Sequence, residues 1–581
     1  MRASVLAICF LSCVRILYAA DPTVIRSVRI SGNHAFTERQ LSEIIHSTPS
    51  SLFNAEQLQQ DILSLRSFYQ NNGYYSVEIF SDSLVYADDS SFIDVTIQIR
   101  EHEQSAVGVI ELEGNTLLTS EEILSRFDTR AGNILDMQML ERDINELLSR
   151  YERIGCPFAA VNVKDIQPVV KDEHPAMNIR LLIDEGEKVQ IDEIKVAGNK
   201  ETKNEVIVRE TRIQRGELFN QDKVTAIRQR LSRLNIFSSV SEPELYMNGT
   251  NGGLLITVQE GNTNTFDGVI GYLPGNGNES GSVTGLVNVS MRNLFGTARK
   301  LNIRWEKDDP RSQEIALRYV EPWVFSFPVN LEGSFFQRQQ DTSYVRRNLE
   351  AKADVLITES FSIGGIFTHE NIIASNTSAG SAVFNSRTIT TGIEFLYDSR
   401  DDILSPTSGV YYQSDYRIGA KKIFSSPAVL NSGSNTVQKL SLDLDFFLEF
   451  FSRQVLATGL HGRQLTSDQI EISDLYRFGG TNTMRGYREN QFLGSRIAWT
   501  NTEYRFLLAR RSFFYGFFDS GYYFLPGDDV KGISSIQRLK YGYGIGIRLE
   551  TGLGNIGVSF ALGEGDSFSQ GKIHFGLINE F

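Results

Sequence analysis

At 581 residues the chain is too long for one ordinary domain, so three or more folded units are expected. A formal charge of −14 at pH 7 excludes a nucleic-acid partner held by phosphate neutralisation. Hydrophobic residues make up 41 %, too few for a bundle of membrane helices, and past the first twenty residues no run of about 18 apolar residues could form one.

Residues 1–20 read as an export signal. Arg2 supplies the positive start, "ASVLAICFLSCV" the apolar core, and "LYAAD" small residues for cleavage near Ala20. "FLSC" loosely matches a lipoprotein cleavage box but lacks leucine three residues before Cys13. With Cys9 and Cys13 removed, Cys156 alone remains, so no disulfide framework can form within the chain. An exported chain without a spanning helix is either soluble or crosses a membrane as a closed barrel.

Three repeats follow. "VRISGNHAFT", "IELEGNTLLT" and "IKVAGNKETK" each end a short strand in Gly-Asn, at Gly32, Gly114 and Gly198, which are 82 and 84 residues apart. Each leads into a polar helical start and then a stronger amphipathic helix. The stripes are Leu58, Ile62, Leu65 and Tyr69; Leu140, Ile144, Leu147 and Tyr151; and Val224, Ile227, Leu231 and Leu234. Asn54, Asp136 and Asn220 stand just ahead of these helices as N-caps. Two strands close each unit, so each repeat is β-α-α-β-β, a small sheet with two helices on one face. This order and its Gly-Asn turns resemble the POTRA (polypeptide-transport-associated) module. The implied boundaries are 21–102, 103–188 and 189–261. Such a sheet leaves one edge free to accept an extended segment.

From about Thr265 the pattern turns to period two. In "SVTGLVNVSMR", Val283, Val287, Val289 and Met291 share one face, while Asn288, Ser290 and Arg292 share the other. "YGYGIGIRLE" sets Tyr541, Tyr543, Ile545, Ile547 and Leu549 against Gly542, Gly544, Gly546 and Arg548. Apolar-out, polar-in alternation with aromatic strand ends marks an outer-membrane barrel over 262–581. At roughly twenty residues per strand and connection, the span holds about sixteen strands. The expected fold class is therefore α+β POTRA repeats followed by an antiparallel transmembrane β-barrel of about sixteen strands.

The motifs along this barrel are more specific. "RNLFGTARKLNI" with "YVEPWVF", "YDSRDDILSPTSG", "FGGTNTMRGY" and "FFDSG" stand in the order of the BamA/TamA superfamily of outer-membrane assembly proteins, which the chain resembles over nearly its whole length. "TGLGN" departs from the family pattern, which usually carries proline after the threonine. The resemblance implies that Gly479, Gly480, Arg485, Gly486 and Tyr487 form a loop motif folded into the lumen, received by the strand of Phe517, Asp519 and Gly521. An arginine there must be paired, because an unpaired buried charge is costly. Alternation places Asp519 on one face with Tyr515 and Phe517, and a bidentate Arg485–Asp519 pair would pin the loop.

The remaining chemistry is sparse. There is no G-x-S-x-G elbow, no paired-histidine metal motif and no cysteine pair with zinc spacing, so no catalytic residue, metal or cofactor is expected and the chain is read as no enzyme. Three functions compete: an assembly factor inserting barrel proteins, a polypeptide translocation or secretion pore, and a passive porin. The resemblance favours the first, in either a BamA-like or a TamA-like role. It implies unfolded outer-membrane proteins as clients, outer-membrane lipid around the barrel, accessory periplasmic or inner-membrane proteins, and POTRA domains in the periplasm. A weak seam is expected between the first barrel strand, with Gly268 and Gly271, and the last, with Gly571, Gly576 and a terminal anchor at Phe581.

Overall fold

In the computed structural model the described residues are 23–87, 91–171, 174–249, 251–273, 282–307, 311–375, 383–403, 405–424, 434–509, 511–527, 534–551 and 554–578. The export signal and Phe581 lie outside them. The chain divides into two compact units, one built on repeats 1 and 2 and the other on repeat 3 with a large sheet.

Repeat 1 runs through a strand at Val24–Ser31, helices at Glu38–Ser42 and Ala55–Asn71, and strands at Glu78–Tyr86 and Phe92–Arg100. The third strand sits centrally, parallel to the first and antiparallel to the second. Repeat 2 repeats this order with strands Ala106–Glu113, Ala160–Lys171 and His174–Asp184 around helices Ser120–Leu124 and Met137–Arg153. The stripes read from periodicity are the cores: Leu58, Ile62, Leu65 and Tyr69 in one, Leu140, Leu147 and Tyr151 in the other. Asn54 and Asp136 cap the long helices by accepting from backbone N–H groups two and three residues on. In repeat 3 the penultimate strand splits into Phe237–Val240 and Glu244–Asn248, both antiparallel to Asn251–Glu260. Pro243 in the gap has no N–H to donate to a ladder.

A shared device fixes each Gly-Asn turn. Gly32, Gly114 and Gly198 have φ of +81°, +92° and +89°, and a Cβ at any of them would strike a carbonyl of the repeat's last strand. The amides beyond are taken by a glutamate just past that strand in repeats 1 and 2, and at its end in repeat 3. His34 and Ala35 donate to Glu101, Thr116 and Leu117 to Glu185, and Lys200 and Thr202 to Glu260, at 2.7–3.0 Å. Tyr69 and Tyr151 add their hydroxyls to Glu101 and Glu185 at 2.7 and 2.9 Å. Burial alone would raise the Glu185 carboxyl, but its hydrogen bonds from Thr116, Leu117 and Tyr151 outweigh that and hold it below the usual range.

In the second unit the described residues form one antiparallel sheet of sixteen strands in sequence order, from Asn264–Leu273 to Lys572–Ile578. Its exposed face is apolar and its covered face polar, the reverse of a soluble sandwich. On the eighth strand, Ser386–Asp398, Ile389, Ile393 and Phe395 are exposed while Thr388, Thr390 and Glu394 are buried. On the fourteenth, Ile536–Thr551, Ile545 is 68 % exposed. The polar face curls inward, since Lys352 of the sixth strand (Tyr344–Leu356) meets Glu394 two strands away. Repeat 3 is tied to this sheet: Arg230 Nε donates to Glu359 Oε2 at 2.8 Å, and Trp323 Nε1 to Glu210 at 2.8 Å.

Glu185→Gln tests the turn device. The depressed carboxyl stabilises repeat 2 above its unfolded pKa of about 4.3, and this contribution is lost as pH falls through the lower folded value. The substitution should destabilise the repeat by about 1–3 kcal/mol at pH 7 and by much less near pH 3. Urea titration read by labelling of Cys156, which is buried in that core, measures it in the full chain.

Candidate functional site: a loop docked on the inner wall

The connection between the eleventh strand, Gln454–Ser467, and the twelfth, Arg496–Ala509, carries a short turn at Ile472–Asp474 and a two-stranded ribbon, Tyr476–Phe478 with Phe492–Gly494. Residues 479–491 form the tip of this ribbon. Apolar side chains seat it: Phe478, Met484 and Tyr487 pack with Ile497 and Trp499 of the twelfth strand.

Arg485 stands at the centre and is only 6 % exposed, facing a fully buried Asp519 on the thirteenth strand, Ser512–Leu525. Its Nε and Nη2 donate to the two carboxylate oxygens at 2.8 and 2.7 Å, and its backbone N–H adds a third bond at 3.0 Å. Nη1 donates to Glu503 of the twelfth strand at 2.6 Å. The guanidinium lies 3.7 Å from the centre of the Phe517 ring. Glu503 in turn accepts from Arg505 Nε at 2.8 Å.

The rest of the tip reaches further strands. Asn501, opposite Asp519 in the ladder, donates to the Thr483 carbonyl at 2.7 Å. Gly486, at φ +92°, lies against the fifteenth strand, Gly554–Gly563, where a side chain would crowd Leu562 and Gly563. Its N–H donates to His574 Nε2 on the sixteenth strand at 3.0 Å. Tyr487 donates to the Tyr541 carbonyl on the fourteenth strand at 2.9 Å and accepts from the Glu564 N–H at 3.0 Å. Gly479 donates to Thr483 Oγ1 and Gly480 to the Met484 carbonyl, closing the turn, while Gly521 leaves room for Met484 and Phe478.

The base of the connection has its own anchor. Lys421 of the ninth strand, Gly409–Ile423, is fully buried, and its Nζ donates to Glu471 at 2.7 Å and Asp474 at 2.6 Å. Sequence reading missed Glu503, Asn501, His574 and the Lys421 set: His574 and Lys421 stand 88 and 50 or more residues from their loop partners, and Glu503 and Asn501, though only 18 away, meet the tip only because the loop folds back on its own following strand. Of the seam residues, Gly268 and Gly271 pair with Val287 and Thr284, and Gly576 pairs with Gly557. Gly571 stands one residue ahead of the last ladder, where the turn Phe568–Gln570 ends, and so does not weaken that strand from within.

Residues 293–581 match the Omp85 superfamily domain, and residues 23–102, 106–186 and 189–261 each match the surface antigen variable number repeat, which is the POTRA module. The chain belongs to the Omp85 superfamily. It is 25 % identical over 322 residues to the outer membrane protein assembly factor BamA of Neisseria meningitidis, covering 53 % of this chain and 39 % of that one. It is 22 % identical over 522 residues to BamA of Nitratidesulfovibrio vulgaris, covering 83 % and 63 %. The chain thus spans less than two thirds of either relative. Its fold is similar to that of CdiB from Escherichia coli, with a TM-score of 0.52 at 13 % identity over 90 % of this chain and 96 % of the other. These matches place this Omp85 protein in the outer membrane with its POTRA repeats in the periplasm.

Asp519→Ala should cost the barrel about 3–5 kcal/mol, since it strands most of the Arg485 charge. The double variant with Arg485→Ala should fall short of the summed single losses by about 1–3 kcal/mol. Urea unfolding of the folded protein in detergent checks this, and additive losses would show the two residues to be uncoupled.

Proposed function

We propose that this protein folds and inserts β-barrel proteins into the outer membrane, with client strands added at the seam between its first and sixteenth strands. The observation that carries the reading is the state of the sheet's two ends. Among the described residues no ladder joins the first strand to the sixteenth. An unpaired edge in a membrane-facing sheet is a template for a strand that needs backbone partners. Burial of the client's apolar face and completion of its ladder supply the driving force, with no nucleotide required.

The POTRA repeats suit a receiving role. The Glu78–Tyr86 edge exposes Leu84, Val85 and Tyr86, and the Ala160–Lys171 edge exposes Val163 and Val170. An extended client segment would gain ladder bonds and apolar contacts on either edge. Accessory periplasmic or inner-membrane proteins would present such segments. Depletion separates the roles: broad loss of outer-membrane barrels indicates a BamA-like factor, a narrow loss a TamA-like one, and loss of a secreted polypeptide alone a secretion pore.

A cysteine pair across the seam, at Val269 and Gly576 or a neighbouring register, should abolish insertion of a client barrel into vesicles when oxidised and restore it when reduced. Full insertion in both states would favour a route through the lumen.

A further inference from the structure

Among the described residues the docked loop touches the seam strand at His574. His574 is 7 % exposed on the inner face of the sixteenth strand. Its Nε2 accepts from the Gly486 N–H at 3.0 Å, so that nitrogen is unprotonated and the proton sits on Nδ1. Nδ1 faces Thr481 Oγ1 at 3.3 Å, and that hydroxyl donates to Glu489 Oε1 at 2.7 Å while the Thr481 N–H donates to the same oxygen at 2.6 Å. The polar chain His574–Thr481–Glu489 thus fixes the ring's tautomer and orientation from inside the loop. Gly486 is the neighbour of Arg485, whose backbone and guanidinium both bind Asp519. A tip that leaves Asp519 therefore carries away the donor that His574 holds.

The other late strands grip the tip by different means: Asn501 and Glu503 on the twelfth, Asp519 on the thirteenth, the Tyr541 carbonyl on the fourteenth. Among the described residues the sixteenth strand's ladder has seven pairs, Asn555–Ile578 to Ala561–Lys572, as few as any in the sheet, and it is paired on one side only. One buried hydrogen bond is a large share of what holds so short a strand.

We propose that His574 is a positioning residue that couples the docked loop to the seam strand, so that withdrawal of the Arg485–Gly486 tip also frees the sixteenth strand. This deepens the seam reading of function and rests on it for its purpose, though the coupling itself is a property of the folded barrel alone.

Amide exchange of residues 572–578 in the full chain, folded in detergent, reads the coupling without any client. Arg485→Ala should accelerate that exchange about tenfold. His574→Leu should do so as well, and Arg485→Ala added to it should change the rate by less than about twofold. His574→Gln, which can place an acceptor where Nε2 sits, should exchange like the parent, whereas His574→Asn, which reaches only the Nδ1 position, should exchange like Leu. If His574→Leu does not fold, the Gln and Asn pair decides the matter. Equal acceleration by Arg485→Ala with and without His574, or an unaltered rate in His574→Asn, overturns the proposal. Client insertion measured on the same variants is a separate readout: altered exchange with unchanged insertion keeps the coupling and counts against the seam's function.

Discussion

One guanidinium buried on the inner wall of the barrel governs the arrangement around it. Removing Arg485 from water costs several kcal/mol unless its charge and its donors are met. Asp519 meets three donors, Glu503 a fourth, and the Phe517 ring lies under the plane. Arg505, on the same strand as Glu503, and Arg548 of the fourteenth strand also face Glu503. Asp519 and Glu503 receive the Arg485 donors only with the loop docked. A partly withdrawn loop would leave the Asp519 and Glu503 oxygens without their Arg485 donors on a buried wall, so intermediate positions are disfavoured and the tip is held either in place or well clear of it.

The second anchor turns this local preference into a property of the lumen. Lys421 lies on the ninth strand and Asp519 on the thirteenth, yet both grip the same connection, at its base and at its tip. The Lys421 site is closed in the same way: Glu471 also accepts the Phe384 N–H at 2.9 Å, and the Glu471 N–H donates to Asp474. The connection is thus fixed to two separate walls on the polar face of the sheet. Passage through the lumen would require breaking buried ion pairs, whereas a strand entering at the sheet's ends would not. Under the proposed assembly role, that difference would make a lateral route the less costly one.

The repeats show how one module is adapted at a membrane. Repeats 1 and 2 close on themselves: Asp61 and Asp143 accept the amides of residues 46–47 and 128–129, and Tyr69 and Tyr151 lock the turn glutamates. Six and fourteen residues past the first helical residue, where those side chains stand, repeat 3 has Ile227 and Asn235. Its helix instead directs Arg230 and Arg233 to Glu359 and Asp398 of the sheet. Burial holds the Glu210 carboxyl above its ordinary range, even with Trp323 donating to it and three arginines close by. Internal latches have been exchanged for bonds to the barrel, which is why the third repeat forms one unit with the sheet.

What could be read from the sequence follows the range of each interaction. Periods of 3.6 and 2 are local, so the β-α-α-β-β order, the core stripes and the sixteen strands were all legible. Parity is local too, and it put Asp519 on the face that Phe517 and Tyr515 share. The partners of a lumen loop are not local, because they depend on how far the sheet curls and how deep the ribbon Tyr476–Phe478 carries its tip. Glu503 had the correct parity to face inward, as did many inner carboxylates, and nothing in the string separated it from Glu394 or Glu370. His574 looked like one of seven scattered histidines. Its place four residues before the end of the described strand, on the inward parity, was readable; the Gly486 amide opposite it was not, because the sequence holds the two 88 residues apart and only the rolled sheet brings them within 3.0 Å.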